Sequence, residues 1–483
     1  LKNSEFYQKG IRKEEQPTFF FFDYETWGTS PAKDRPCQFA GVRTDLDFNI
    51  IGEPLVIYCQ PPHDYLPSPE AALITGITPQ LTIQKGLPEP DFIKKIYAAL
   101  SHPNTVSVGY NNIRFDDEVT RYTCYRNFFD PYAWAWQQGN SRWDILDVMR
   151  ACHALRPEGI HWPENDEGYP SFKLEHLSVE NGIEHSNAHD AMADVIATIE
   201  LTKRVKKAQP KLFNYFFEHR YKRKLNTLID IVNLTPLVHV SGMLGKEQQY
   251  TSWIVPLAWH PINSNAVIIV DLTKSPEPLF SLNAEQLRER LYTRHSELSN
   301  NELPVPLKLV HLNKCPILAP AKTLTAENAR VIGIDREQCL KHLAIIRNHP
   351  EVREKVISVF NDHFDATSRD VDEQLYDGFF SHADKAAMDI VRETPPETLG
   401  ELTLTFEDPR ISQLLFRYRA RHYAWTLTLN EQNQWKEHCR QYFENHIDNY
   451  IYNLENLVNQ YENQPAKLKI LQAVYNYIST LTN

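Results

Sequence analysis

Two carboxylates, Asp23 and Glu25, stand two residues apart in TFFFFDYETWG. On a strand, that spacing puts both side chains on one face. Carboxylates side by side repel each other unless a cation sits between them. The preceding run Phe19, Phe20, Phe21, Phe22 predicts a buried strand that holds the pair rigidly. A solvated strand end carries the same two letters, so the pair alone decides little. Asp116, in YNNIRFDDEV, and Asp194, in SNAHDAMADV, supply two further acids. His189 stands five residues before Asp194. Five helical residues turn about 140°, so His189 is expected in the loop or first turn before the helix, facing the same cleft. Four carboxylates reaching one cleft could hold two Mg2+ ions, which prefer a few carboxylates with water and substrate phosphate. Two metals about 3.5–4 Å apart stabilise the attacking and the leaving oxygen of phosphodiester cleavage. A neutral histidine, with an ordinary pKa of about 6.5, could take the proton from the attacking water.

The elements that must position these residues read as follows. TFFFFDYETWG is a buried strand, and QFAGVRTDLDFNIIGEPLVIYC is two strand-like runs broken by polar turns. PDFIKKIYAAL is apolar at helical spacing, TVSVGYNN is a strand, and FDDEVTRYTCYRNF is a helix. RWDILDVMRACHAL and AHDAMADVIATIELTKRVKKA are strongly helical. The order predicts an α/β domain over roughly residues 15–210. Beyond about residue 230, LVHVSG, TSWIVPLAWHP, NAVIIVDL and VPLKLVHLNKCPIL are short β-branched runs separated by Pro, Asn and Gly. They predict a small barrel or sandwich over 211–360, with inserted helix such as AEQLRERLY. NDHFDATSRDVDEQ reads as a linker, and amphipathic runs after it predict an all-α domain over 368–483.

Bulk properties bound the rest. The 483 residues suit two or three domains, with 42% hydrophobic and 23% charged residues in ordinary globular balance. A net charge of −11 argues against a protein that coats nucleic acid by overall charge, but leaves room for a local basic groove. Seven scattered cysteines without a C-x-x-C pair fit reduced thiols better than a zinc site. LKNSEFYQKGIRKEEQP lacks the apolar core of a signal peptide, and no run approaches the roughly 18 apolar residues of a membrane span. A cytoplasmic chain with no membrane partner is expected.

The motifs carry a resemblance. Asp23 with Glu25, Asn112 with Phe115-Asp116, and H-x-A-x-x-D at 189–194 resemble the three motifs of the DEDDh exonuclease superfamily. In its sister group a tyrosine, one position later, replaces the histidine; here that position is Asp190, which fits the histidine version. Motif placement selects Asp116 over Asp117, and spacing selects His189 over His185. Longer stretches resemble the bacterial exodeoxyribonuclease I family: GYNNIRFDDEVTRYTCYRNFFDPYAWAW, NSRWDILDVMRACHALRPEGI, LEHLSVENGIEHSNAHDAMADV, LAWHPINSNAVIIVDL and KLVHLNKCPILA. That resemblance covers nearly the whole chain and is weakest in the first fifteen residues and the C-terminal helices. It implies an RNase H-like exonuclease domain with a mixed sheet, an SH3-like β-barrel domain and an all-α C-terminal domain. It implies processive 3′→5′ hydrolysis of single-stranded DNA to nucleoside 5′-monophosphates, in DNA repair and recombination. Two Mg2+, or Mn2+ in their place, are the implied cofactors. A monomer that binds the C-terminal tail of single-strand-binding protein is the family expectation.

Single-stranded DNA asks for cations and flat rings. Residues 121–150 interleave Arg121, Arg126, Arg142 and Arg150 with eight aromatic residues. By resemblance Arg121, Tyr132, Trp136 and Arg150 are the strand contacts. Lys173 is placed near the phosphate at the cut, where the family can carry Arg and its forked donor. Glu25 is counted among substrate contacts as well as metal ligands. Residues 203–224 hold nine Lys or Arg and one acid, and Lys222 is the phosphate contact chosen there. Asn265 and Asn313 match family positions that touch DNA. Arg417, Arg419 and Arg421 could bind DNA, bind an acidic tail or pair with local acids. In the resulting scheme Asp23, Glu25 and Asp194 hold the metals, Asp116 acts mostly through water, and His189 is the base. The alternatives are an exoribonuclease for short RNA, or a non-catalytic DNA-binding or recruitment protein.

Overall fold

The computed structural model describes residues 16–184, 190–299, 301–361 and 369–482. His189 and His185 lie outside them. The chain divides into two compact units, each assembled from separate stretches of sequence. One takes in the described residues up to Val108, Glu118–Arg142 and those from Val371 onward; the other is Gly109–Asp117 with Trp143–Asp370.

The first unit is built on strand β1 (Thr18–Thr26), whose Phe19, Phe20, Phe21 and Phe22 are all buried, as the apolar run predicts. β1 pairs antiparallel with β2 (Pro36–Thr44), which pairs antiparallel with β3 (Leu55–Tyr58). On its other edge β1 runs parallel to β4 (Thr105–Gly109). β5 (Ser141–Asp144) completes a mixed sheet in the order β3-β2-β1-β4-β5. A parallel pair needs a crossover, and the Glu89–Leu100 helix supplies it, burying Phe92, Ile93, Ile96 and Leu100.

The C-terminal helices belong to this same unit. Val474, Tyr477 and Ile478 of the Pro465–Thr482 helix pack in one apolar cluster with Trp27, Cys37 and Tyr65. Tyr125 and Phe128 cluster with Val371, Ile411 and Leu414. These clusters join residues more than 200 positions apart, so the helical tail is part of the core that supports β1.

RWD was read as the start of a helix; it is instead strand β5, and the helix is Ile145–Leu155. Asp144 makes the switch. Its backbone is extended, and its side chain accepts from Leu146 N–H, the geometry of an N-cap.

The second unit holds a five-stranded antiparallel sheet in the order β10-β6-β7-β8-β9. Its strands are β6 (Leu237–Val240), β7 (Thr251–Trp259), β8 (Ala266–Asp271), β9 (Leu307–His311) and β10 (Ile317–Pro320). β6, β7 and β8 each fall in one of the β-branched runs, and β9 and the start of β10 share VPLKLVHLNKCPIL. Leu225, Leu237, Ile254, Val267, Val310 and Leu318 form its core. Two helices that the sequence reading passed over, Arg336–Arg347 and Val352–Val359, follow the sheet. All seven cysteines are free thiols, five of them buried. Among the described residues, no helix is long and apolar enough to cross a membrane.

Candidate active site

Asp23 and Glu25 leave β1 on the same face, opposite Ala40 and Gln38 of β2. The register slips between Glu25 and Thr26. Such an irregularity ends pairing and re-aims the side chains beside it. Glu25 is buried and Asp23 half-buried. Asp194 lies in the first turn of the Ala191–Ala208 helix. Asp190 caps that helix, accepting from the N–H groups of Met192 and Ala193, both at 3.2 Å. The residue that occupies the sister group's tyrosine position is therefore a helix cap here. Helix N-termini favour negative charge, which suits an acid in that first turn. One carboxylate oxygen each from Asp23, Glu25 and Asp194 all lie within 4.8 Å of one another. An all-oxygen set at that spacing matches what a hard divalent cation takes.

Asp116 opens the Asp116–Arg126 helix and is buried, but it is not one of that trio. Its neighbour Asp117 faces a different task. The Asn112 side chain donates to Asp117 Oδ1 at 3.2 Å, and Asp117 N–H donates to the Asn112 carbonyl at 2.8 Å. Asp117 thus pins the turn. The turn is also held from outside. Asp144 accepts from Asn111 N–H at 2.9 Å and from Ile113 N–H at 3.3 Å, while Asn111 adopts φ 67°. Burial first, and Asp147 second, push the Asp144 carboxyl up to about 7.

The residues chosen as strand contacts fall into local groups. Arg121 pairs with Glu118 at 2.8 Å, donates to the Tyr376 hydroxyl at 3.2 Å and lies over the Tyr132 ring. Trp136 is 65% exposed. Tyr376 and the 84%-exposed Phe379 adjoin Tyr132. The sequence reading missed both, since about 240 residues separate them from Tyr132. Arg150 pairs with Asp147 at 2.7 Å and lies over the Tyr250 ring. Lys173 is exposed at the N-cap of the Leu174–Glu180 helix. Lys222 Nζ donates to Asn265 Oδ1 at 2.7 Å, so two independent choices meet directly. Leu312 N–H donates to the Asn265 carbonyl, which brings the exposed Asn313 beside them in the chain.

The arginine cluster resolves into local pairs. Arg421 bridges Asp64 and Asp372, both at 2.7 Å, and Arg35 meets Asp372 at 2.6 Å. Arg417 reaches Asp372 at 3.4 Å, and Arg419 pairs with Glu431 at 2.7 Å. Burial raises the Asp372 carboxyl, but Arg421, Arg35 and Arg417 more than offset it and hold the group well below the carboxylate range.

Three family models match the chain: Exonuclease over residues 20–202, Exonuclease I SH3-like domain over 220–362, and Exonuclease I C-terminal domain over 369–481. Exodeoxyribonuclease I of Escherichia coli is 57% identical over 465 residues, which is 96% of this chain and 98% of that protein. Two solved structures are similar throughout. The zinc-bound form of the E. coli ExoI–ssDNA complex has a TM-score of 0.94 at 56% identity, covering 97% of this chain and 100% of that one. An ExoI/SSB-Ct complex has a TM-score of 0.93 at 56% identity, with the same coverage. With its mixed-sheet exonuclease domain, SH3-like domain, helical C-terminal domain and acidic trio, the chain belongs to the exodeoxyribonuclease I family.

Proposed function

We infer that this chain is a 3′→5′ exonuclease that hydrolyses single-stranded DNA processively to nucleoside 5′-monophosphates. The carboxylate trio carries the reading: three acids within 4.8 Å of one another repel, and a divalent cation between them relieves that repulsion. Asp23, Glu25 and Asp194 would hold two Mg2+ ions, or Mn2+ in their place, with Asp116 acting mostly through water. Bound there, the metals would stabilise charge on the attacking and leaving oxygens. His189 accepts the proton of the attacking water. Glu25 and Lys173 orient the terminal nucleotide, and Arg121, Tyr132, Trp136, Arg150, Lys222, Asn265 and Asn313 hold the strand behind it. The domain limits 15–210, 211–360 and 368–483 belong to the same reading. So do a cytoplasmic monomer, a role in repair and recombination, and single-strand-binding protein docking by its C-terminal tail. Support for that last partner is the similar ExoI/SSB-Ct complex.

The test uses a 5′-labelled oligothymidylate, with Mg2+ or with EDTA. Stepwise shortening of the labelled strand is expected with Mg2+ alone. Immediate release of the label as mononucleotide would reverse the polarity, and digestion in EDTA would sink the metal reading. Asp194→Ala should lower the rate by well over the roughly hundredfold that losing an outer-shell partner costs. Faster digestion of an RNA oligomer would favour the exoribonuclease alternative.

A further inference from the structure

Arg114, His239, Ser241, Lys308 and Lys314 line one cavity of about 320 Å3 in the second unit. Arg114 Nη2 donates to Ser241 Oγ at 3.3 Å. Lys308 Nζ lies 3.3 Å from His239 Nε2. The His239 ring is buried, and its Nδ1 is 2.9 Å from the Ile317 carbonyl. A carbonyl only accepts, so Nδ1 carries the proton and Nε2 accepts from Lys308. The ring is neutral, and burial first holds its pKa down to about 3.

Three cationic side chains, Arg114, Lys308 and Lys314, thus line this cavity, and Asp147 and Asp271 act on Lys308 only through space. Arg114 bonds a hydroxyl, Lys308 bonds a neutral imidazole, and among the described residues neither forms an ion pair. The acids that also line the cavity are engaged elsewhere. Asp144 is held by three backbone N–H groups, and Asp147 pairs with Arg150 at 2.7 Å. The strain of this arrangement shows in Lys308, whose pKa burial first and Arg114 second push down to about 8. An anion between Arg114 and Lys308 would relieve it.

We propose that this cavity is a phosphate-binding site, with Arg114 and Lys308 as its charged donors and the Ser241 hydroxyl beside them. A guanidinium offers a phosphate two parallel donors, and an ammonium adds a point charge. The cavity is larger than a phosphate alone, so the group arrives on a nucleotide. Two sources share that chemistry: a phosphodiester of the bound strand, or the monoester of a released nucleotide. This rests on the nuclease reading only for the choice of probes.

Binding is measured in EDTA, so that the outcome does not depend on cleavage or on the metal site. Probes are an oligothymidylate, followed by fluorescence anisotropy at several salt concentrations, and thymidine 5′-monophosphate, followed by calorimetry. The variant is Arg114→Gln with Lys308→Gln, in which the glutamine at 308 still donates to His239. If the strand is the source, the oligomer binds about tenfold more weakly and the log–log salt slope flattens by about 0.7 per lost phosphate contact. If the nucleotide is the source, its binding to the wild type weakens about tenfold in the variant while the oligomer is unaffected. Equal binding of both probes to wild type and variant overturns the proposal. A second measurement uses the unaltered protein: acetylation of Lys308, read by mass spectrometry, should fall when one probe is bound. Labelling unchanged by both probes overturns the proposal as well.

Discussion

Lys222 and Asn265 are 43 positions apart and share a 2.7 Å hydrogen bond. If both face the strand, they act as one unit, because the amide oxygen fixes where the ammonium sits. Lys222→Met and Asn265→Ala should each weaken oligonucleotide binding, and the double variant should be little worse than Lys222→Met. A double-mutant cycle should return a coupling of roughly 0.5–3 kcal/mol; additive losses would mean that the two residues serve separate ends. The acids were legible in sequence because period two and the Phe run define their strand. Asp116 was separable from Asp117 only by motif placement; the structure adds that Asp117 bonds to Asn112. Tyr376 and Phe379 were not legible, because nothing local links an exposed ring to a partner in another stretch of chain.

Asp144 shows how one residue organises the elements around it. It ends β5, caps the Ile145–Leu155 helix and holds the turn that leads to Asp116. That triple duty leaves a carboxylate in a poor environment, with its pKa raised to about 7, by burial first. The sign of the linkage follows. Below the ordinary carboxylate pKa of about 3.9 both folded and unfolded states are protonated, so nothing is lost. As pH rises from about 4 to 7 the unfolded chain ionises first, and the folded state loses stability relative to it. Asp144→Asn removes that penalty. Its stability relative to wild type should therefore improve by about 1–3 kcal/mol between pH 4 and pH 8, read from urea midpoints. A pH-independent difference would show that Asp144 ionises freely in the folded state. The helical reading of RWD failed at this residue, since a strand that turns directly into a capped helix has no spacer to reveal the change.

At the scale of the molecule, net charge and local charge point in opposite directions. The chain carries −11, yet Lys222, Lys173 and Arg150 recur among the residues chosen for the strand. Local phosphate contacts release counterions whatever the net charge. Oligonucleotide affinity should fall steeply as NaCl rises, measured by anisotropy in EDTA; a flat response would remove the electrostatic part of the binding account. The three kinds of domain were readable from texture: strands with helices, then short β-branched runs, then long amphipathic helices. What texture could not give was the company each keeps. For the arginines at 417–421 the sequence leaves DNA, an acidic tail and nearby acids as equal partners, because two of the acids they meet, Asp64 and Asp372, are distant in sequence.

The cluster that joins Trp27, directly after β1, to the Pro465–Thr482 helix has a consequence during synthesis. Tyr65 and Trp27 emerge from the ribosome long before Val474 and Ile478, with which they cluster. The roughly 410 residues from Tyr65 to Val474, among them the stretch of the other unit between Arg142 and Val371, must be made first. At about 5–20 residues per second that is a wait of roughly 20–80 s. Through that interval the strand bearing Asp23 and Glu25 lacks part of its support. The nascent chain is thus a nuclease in waiting, and its acids acquire their rigid frame only once the Pro465–Thr482 helix has been made.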